Sequence, residues 1–175
     1  MKKHLSSESQ SDEIELIIGN SNSNFSGVTS TMLQVMSYQK ELINLRIMGR
    51  HFLPDQALAI SFWQTAKMCR TPLKSGKWRI FHARRVDEMI QGVLLKYLFR
   101  AKIKLVFSSA AQRKRSASTV WLTRKMDAVI AVSKRSAGFL CDPPNLVNPH
   151  GIQVNDYLPA KDKLQAWADL GYGGK

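Results

Sequence analysis

The chain alternates short apolar runs with helical segments, and this order restricts the fold more than any other feature. Each run is short enough for one strand, and loops of small or polar residues punctuate the series. The predicted strands cover 13–19, 44–48, 78–81, 103–107, 127–131 and 145–148. Strands that alternate with helices form a parallel sheet with helices on both faces. We therefore predict an α/β fold with a Rossmann-like parallel sheet.

The intervening helices follow from hydrophobic spacing. Apolar residues from Val86 to Leu98 recur at i, i+3, i+4 and i+7, which predicts one continuous apolar helix face. Further helices are predicted from Thr29 onward, over 56–68, over 113–125 and over 133–140. Pro143 and Pro144 follow the last of these, and proline cannot continue a helix.

The length of 175 residues, with 44% hydrophobic residues, suits one domain with a buried core. No run approaches the roughly 18 apolar residues of a membrane-spanning helix. Residues 1–12 are polar and predict a disordered leader without a secretory signal, whereas 13–152 predict the folded domain. Two cysteines fit neither a disulfide scaffold nor a four-thiolate zinc site, and a reducing cytoplasm is the expected location.

Positive charge is concentrated in the middle of the chain. The formal net charge is +13, and residues 70–135 contain 17 basic and 3 acidic residues, so the remainder is nearly neutral. Such a segment attracts polyanions, whether nucleic acid, anionic lipid headgroups or phosphorylated glycolipid. Charge alone does not choose among these partners.

Ligands of open parallel sheets bind at the carboxyl ends of the strands, and unusual residues follow three of the predicted strands. The first of these ends is an Asn- and Ser-rich loop over 20–26, followed by Gly27. Small residues let a ligand approach the backbone, and free N–H groups at a helix N-terminus favour an anion. The same residues equally fit a capped turn in which Ser26 or Thr29 caps the helix. The loop is neither a G-x-G-x-x-G motif nor a P-loop.

His82-Ala-Arg-Arg85 follows the third strand, and His150-Gly151 follows the last. His82 could donate a hydrogen bond to a substrate, and Arg84 and Arg85 could make bidentate phosphate contacts. The two arginines also fit a solvated basic turn.

The basic helix over 113–125 has cations at both ends. It suits a surface that rests on an anionic membrane or grips acceptor phosphates, but it equally suits a solvated helix face. No metal site is predicted, because the four histidines are far apart and no H-E-x-x-H pair occurs. A Ser-His-Asp hydrolase is disfavoured because no G-x-S-x-G elbow exists.

Five short motifs occur in an order that points to a known family. They are Ser26-Gly-Val-Thr29, Phe81-His-Ala-Arg-Arg85, Ser108-Ser-Ala-Ala-Gln-Arg113, Met126-Asp-Ala-Val-Ile-Ala-Val-Ser133 and Asn148-Pro-His-Gly-Ile152. Together they resemble the N-terminal half of retaining glycosyltransferases of the GT-B fold, and more narrowly the lipopolysaccharide core mannosyltransferases of rhizobia. One departure is Gln153, where family members usually carry Asp.

The resemblance implies two Rossmann-like domains that face a cleft, the N-terminal one for the acceptor and the C-terminal one for the nucleotide sugar. It implies transfer of mannose from GDP-mannose with retention and without a required metal or other cofactor. The implied roles are catalytic contact with the transferred sugar for His82, a donor-phosphate loop at Gly27, Val28 and Thr29, acceptor binding by Arg84, Arg85 and Arg113, and an interdomain hinge at His150 and Gly151.

The Glu-x7-Glu motif of the second domain does not occur in this sequence. Residues 153–175 are therefore interpreted as a linker toward a missing nucleotide-sugar domain, and the chain alone is expected to be inactive. The implied acceptor is lipopolysaccharide core or a lipid-linked sugar at the inner face of the cytoplasmic membrane. The alternatives are a basic nucleic-acid-binding protein, a non-catalytic protein that binds anionic membranes, and a degraded relic without activity.

Overall fold

The computed structural model describes residues 13–151 and 162–171. Its centre is a seven-stranded sheet with the order β3-β2-β1-β4-β5-β6-β7, in which every neighbouring pair is parallel. The predicted α/β fold with a Rossmann-like parallel sheet is confirmed. The predicted leader over 1–12 lies outside the described residues. So do two parts of the predicted linker, 153–161 and 172–175.

The elements alternate as predicted. The strands are β1 Leu16–Gly19, β2 Leu45–Met48, β3 Ala59–Ile60, β4 Arg79–Ala83, β5 Ile103–Ser109, β6 Ala128–Ala131 and β7 Leu146–Val147. The helices are α1 Gly27–Leu42, α2 Phe62–Met68, α3 Val86–Val93, α4 Ala117–Thr123, α5 Lys134–Ala137 and α6 Lys163–Asp169.

Each face of the sheet has its own apolar core. One core lies beneath α1 and includes Ile18, Met32 and Ile47. The other contains Phe81 and Met89 with residues of α2 and α4. Because alternate residues of a strand point to opposite faces, a central parallel strand buries nearly every side chain, as β1 does along its whole length.

The predicted helix over 56–68 is wrong in its first half. Gln56–Leu58 forms a 3-10 turn and the short strand β3 follows it, so that only α2 is α-helical. The hydroxyl of Ser61 accepts from the Gln64 N–H, and the Gln64 side chain accepts from the Ser61 N–H. This capping box starts a helix at the residue after Ser61, which leaves the preceding residues free to join the sheet.

Only part of the predicted continuous apolar face from Val86 to Leu98 is buried. Within α3 the buried residues are Glu88, Met89 and Gly92, whereas Val86 and Ile90 are exposed, and a π-helical turn, Leu94–Leu98, follows the helix. Met89 and Leu95 are fully buried, whereas Leu98 is 67% exposed. A Cβ on Gly92 would lie 3.0 Å from the side chains of Leu105 and Phe81, so this glycine allows the helix to lie close to the sheet.

Two other predicted helices are shorter than expected. The basic helix predicted over 113–125 is helical only in α4, because the Ser116 hydroxyl accepts from the Thr119 N–H and fixes the start there. The helix predicted over 133–140 is helical only in α5. Ser133 caps it as predicted, through a hydrogen bond from the Ser136 N–H.

Candidate functional site

A crevice of about 320 Å³ lies between α1 and the sheet, and it includes the carboxyl ends of several strands, where the ligand site was predicted. It is lined on one side by residues of β1, β4, β5 and β6 and on the other by Val28 and its neighbours on α1. The segment 148–151 forms part of its wall. His82, Arg84, His150 and the first turn of α1 are thereby brought to one place.

His82 lies in β4, whose predicted end at this residue is wrong because the strand continues to Ala83. The strand register places it beside Val106, and its Nε2 lies 2.8 Å from the Ser108 hydroxyl. Burial lowers the pKa of His82 to about 4, and the positive charge of Arg84 adds to this effect. The imidazole is therefore neutral near pH 7, and the chemistry it offers to a ligand is that of a hydrogen-bonding group rather than a cation.

The two predicted hinge residues, His150 and Gly151, line the same crevice. Burial, together with the nearby charge of Arg84, lowers the pKa of His150. Two neutral imidazoles and one guanidinium therefore face a common space.

The start of α1 is open to a ligand. Ser26 occupies the N-cap position but makes no side-chain cap hydrogen bond. A Cβ on Gly27 would meet nothing within 4 Å, so there is room for close approach to the backbone. Thr29 is buried, and its hydroxyl accepts from Arg85 at 2.8 Å. The backbone N–H groups of this turn, rather than the Thr29 side chain, are therefore the donors available to an anion.

Arg85 is engaged inside the protein. Its guanidinium donates to the Ser26 hydroxyl at 2.7 Å, in addition to Thr29, and pairs at 3.4 Å with Glu88, whose carboxylate is fully buried. Glu88 also accepts from the backbone N–H groups of Arg84 and Arg85 at 2.7 and 3.2 Å. This network ties the start of α1 to the turn after β4.

The three predicted acceptor-binding arginines, Arg84, Arg85 and Arg113, line a second cavity of about 510 Å³. Arg84 belongs to both cavities, so they are neighbours. Sequence reasoning placed Arg115 in a basic helix. It lies instead in the loop before α4, lines the second cavity and donates to the Ser109 hydroxyl. The sequence does contain a signal for this position: Arg115 lies between the end of a predicted strand and Ser116, a residue type that commonly caps a helix.

Within 13–151 and 162–171, no three His, Cys, Asp or Glu side chains are grouped so that they could hold a metal ion. In the same residues, no helix has the length and apolar character needed to cross a membrane.

The parallel sheet and the crevice at its carboxyl edge define the class of this protein: a Rossmann-like α/β domain with a ligand site at one sheet edge. The chain is similar to two curated proteins. One is the lipopolysaccharide core biosynthesis mannosyltransferase LpcC of Rhizobium leguminosarum bv. viciae, with 38% identity over 164 residues, 93% of this chain and 46% of that protein. The other is LpsB, the enzyme of the same description from Rhizobium meliloti, with 38% identity over 160 residues, 91% of this chain and 45% of that protein.

These findings confirm the predicted resemblance to the rhizobial lipopolysaccharide core mannosyltransferases. The chain spans about half the length of the curated relatives it matches. No model of a protein family matches it.

Solved structures show the same fold. The crystal structure of Anabaena Alr3699/HepE with UDP superposes with a TM-score of 0.62 at 11% identity, over 90% of this chain and 50% of that one. The complex of the same protein with UDP-glucose gives a TM-score of 0.58 at 12% identity, over 91% of this chain and 50% of that one. The likeness confirms that the sheet and its helices form the same Rossmann-like fold as about half of that protein.

Proposed function

We propose that this chain is the acceptor-binding lobe of a retaining mannosyltransferase that transfers mannose from GDP-mannose to a lipopolysaccharide core acceptor. The single observation that carries the proposal is the 38% identity to two mannosyltransferases over more than nine-tenths of the chain. The crevice lies where such a reaction needs it, at the carboxyl edge of a Rossmann-like sheet.

In the proposed reaction, the bond between the mannose C1 and the diphosphate oxygen breaks and GDP leaves with the bonding electrons. C1 bonds to the acceptor oxygen, whose proton passes to the departing phosphate oxygen. His82 contacts the transferred sugar as a neutral hydrogen-bonding group, because burial and Arg84 hold its pKa near 4. Its hydrogen bond to Ser108 fixes the ring. Preorganised hydrogen bonds of this kind lower a barrier because they need no reorientation during the reaction.

The leaving diphosphate is assigned to the start of α1, at Gly27, Val28 and Thr29. Helix N-termini bind anions through free N–H groups and the helix dipole. The first turn of α1 contains no acidic residue, and the Arg85 guanidinium lies beneath it, 2.7 Å from Ser26. The charge of Arg85 is balanced by Glu88, so the helix dipole and the absence of an acidic residue in this turn support the donor-phosphate site, which requires no metal in the proposed mechanism.

A second lobe is part of the proposal, with His150 and Gly151 at the hinge between the lobes. Catalysis needs donor and acceptor held together in a water-excluding cleft, and the crevice described here supplies one wall. We therefore expect the chain alone not to transfer sugar.

The proposed location is the inner face of the cytoplasmic membrane, and an exposed surface supports it. Along α3 and the π-helical turn, apolar side chains that are 40–67% exposed form a stripe: Val86, Ile90, Leu94, Tyr97 and Leu98. On the neighbouring helix α4, Trp121 is 56% exposed and Lys125 lies over its ring. We call these residues the α3–α4 surface. Apolar and aromatic side chains beside cations are typical of surfaces that rest on anionic lipid.

A chimera tests the enzymatic part. Residues 1–151 would be joined to the remaining half of the Rhizobium leguminosarum mannosyltransferase and assayed with GDP-mannose and a lipopolysaccharide core acceptor. We expect transfer by the chimera and none by the chain alone. His82→Ala should lower the rate roughly a hundredfold. His51→Ala is the matched control, because that residue is exposed and does not line the crevice. A folded chimera without transfer, or a His82→Ala chimera of normal rate, would contradict the proposal.

Vesicle sedimentation tests the membrane part. The double variant Ile90→Asp/Leu98→Asp should lose binding to phosphatidylglycerol vesicles, and binding of the unmodified chain should weaken with salt. Leu42→Asp is the control, since Leu42 is 80% exposed at the end of α1. Equal binding to neutral phosphatidylcholine vesicles, or no difference between the variants, would contradict this location.

A further inference from the structure

The second cavity carries an inference about the acceptor's chemistry. It lies between the turn after β4 and the loop before α4, and none of its lining residues is acidic. Its five basic lining residues are Arg84, Arg85, Arg113, Lys114 and Arg115. A concave site with such an excess of positive charge is electrostatically complementary to an anion.

Two of these guanidinium groups have unused donors. Arg84 donates from one terminal nitrogen to the Gly19 carbonyl at 3.0 Å, and Arg115 donates to the Ser109 hydroxyl while its guanidinium lies over the Phe107 ring. The Nε atom of each is buried without a hydrogen-bond partner. Buried guanidinium donors are normally satisfied, because an unmet donor costs free energy.

The counter-charge for these groups is incomplete as well: the charge of Glu88 acts on Arg84, but this carboxylate is already paired with Arg85. Arg85 pairs with Glu88, but no ion pair of the described residues involves Arg84 or Arg115. Burial lowers the pKa of Arg84 to about 10, and burial and the charge of Arg113 lower that of Arg115. Both shifts mean that the charged form lacks stabilisation, which a bound anion would supply.

We propose that this cavity binds an oxyanion of the acceptor, a phosphate or a carboxylate group, through Arg84 and Arg115. Arg113 and Lys114 are exposed and stand at its mouth. Arg84 also lines the crevice that contains His82, so the anionic group of the acceptor lies next to the reacting hydroxyl. The assignment to an acceptor rests on the proposed function, and Arg85 is excluded because its guanidinium is committed to α1 and Glu88.

The test is a titration of the isotope-labelled full chain, monitored by nuclear magnetic resonance of the arginine Nε–Hε groups. Inorganic phosphate replaces chloride at constant ionic strength, and acetate is the parallel arm that represents a carboxylate. We expect saturable shifts for Arg84 and Arg115 and none for Arg124, an exposed arginine outside the cavity. Tighter phosphate binding identifies a phosphate of the acceptor, and tighter acetate binding a carboxylate. Shifts that do not saturate, or that are equal at Arg124, overturn the proposal.

Variants locate the site. Arg115→Met should weaken phosphate binding roughly tenfold, about the effect of losing one charge-assisted hydrogen bond, and Arg124→Met should leave it unchanged. If Arg115→Met does not fold, Arg113→Met replaces it, because that exposed side chain at the mouth should cause a smaller loss without affecting the core. Unchanged affinity in the folded variants overturns the proposal.

The same substitution in the chimera separates this inference from the proposed function. Arg115→Met should raise KM for the acceptor and leave KM for GDP-mannose unchanged. Phosphate binding by the chain without transfer by the chimera would retain the oxyanion site and reject the enzymatic role. Transfer without phosphate binding would reject the oxyanion site alone.

Discussion

Replacing Arg85 with methionine should destabilise the protein far more than the same change at Arg124. Arg85 donates to Ser26 and Thr29 and pairs with Glu88, and the side chains of the pair are 12% and 0% exposed. Arg124 pairs with Asp142 at 2.9 Å, where the two side chains are 62% and 55% exposed. The two substitutions thus remove the same group from a buried and from a solvated ion pair.

The magnitude follows from what remains after the change. Breaking a buried pair costs about 3–5 kcal/mol, because the other charge stays buried without its partner. In Arg85→Met the Glu88 carboxylate keeps its two backbone N–H donors, so we expect the lower end, about 3 kcal/mol. For a domain of this size that corresponds to a fall in Tm of about 10 °C. Arg124→Met should change stability by no more than the experimental error, because exposed pairs contribute little.

Urea unfolding followed by tryptophan fluorescence measures both free energies of unfolding. Adding Glu88→Gln to Arg85→Met should recover part of the loss, because a neutral amide oxygen still accepts from the backbone. Equal losses for Arg85→Met and Arg124→Met would refute the assignment of Arg85 as the tie between α1 and the turn after β4.

Three further outcomes are expected. Gly49 has φ +124°, and a Cβ there would lie 2.1 Å from a backbone oxygen, so Gly49→Ala should lower the free energy of unfolding by more than about 2 kcal/mol. Gly76 has φ +73° but open space around it, so Gly76→Ala should lower it by only about 1 kcal/mol. Chemical denaturation measures both changes. A thiol reagent at pH 8 should label only the exposed Cys141 in the native chain and both cysteines in urea, since burial raises the pKa of Cys69 to about 11. Because the folded-state pKa of His82 is about 4 against 6.5 unfolded, the unfolded chain binds more protons between these values. The free energy of unfolding should therefore fall by up to about 3 kcal/mol as the pH drops from 7 to 4, and His82→Gln should abolish this component.

The order of elements could be predicted because parallel strands buried on both faces appear as apolar runs. The buried face of α3 could not, because it is formed in part by Glu88 and Gly92, which hydrophobic spacing does not mark, whereas the apolar Val86 and Ile90 are exposed. Local capping was decisive elsewhere. Ser61 and Ser116 define the starts of α2 and α4, and the preceding residues then adopt other structures.

Part of the site was also visible from the sequence. The position of His82 near the end of β4 predicted its place in the crevice, because ligand sites of open sheets collect at that edge. Its partner Ser108 depends on the register between β4 and β5, which spacing does not reveal. The different environments of Arg84 and Arg85 depend on side-chain packing against Gly19 and Glu88, so adjacent residues of one type could not be told apart.

The position of β1 inside the sheet, between an earlier-paired and a later strand of the chain, has a consequence for biosynthesis. Its neighbours are β2 and β4, and Ile14 and Arg79, which share a hydrogen bond across this region, lie 65 residues apart. β1 is therefore translated before one of its two partners and lacks that partner until β4 has been made. Nascent chains that stop before β4 expose an unpaired apolar edge, and such edges promote aggregation. Nascent-chain chaperones should consequently be needed from the translation of β1 until that of β4.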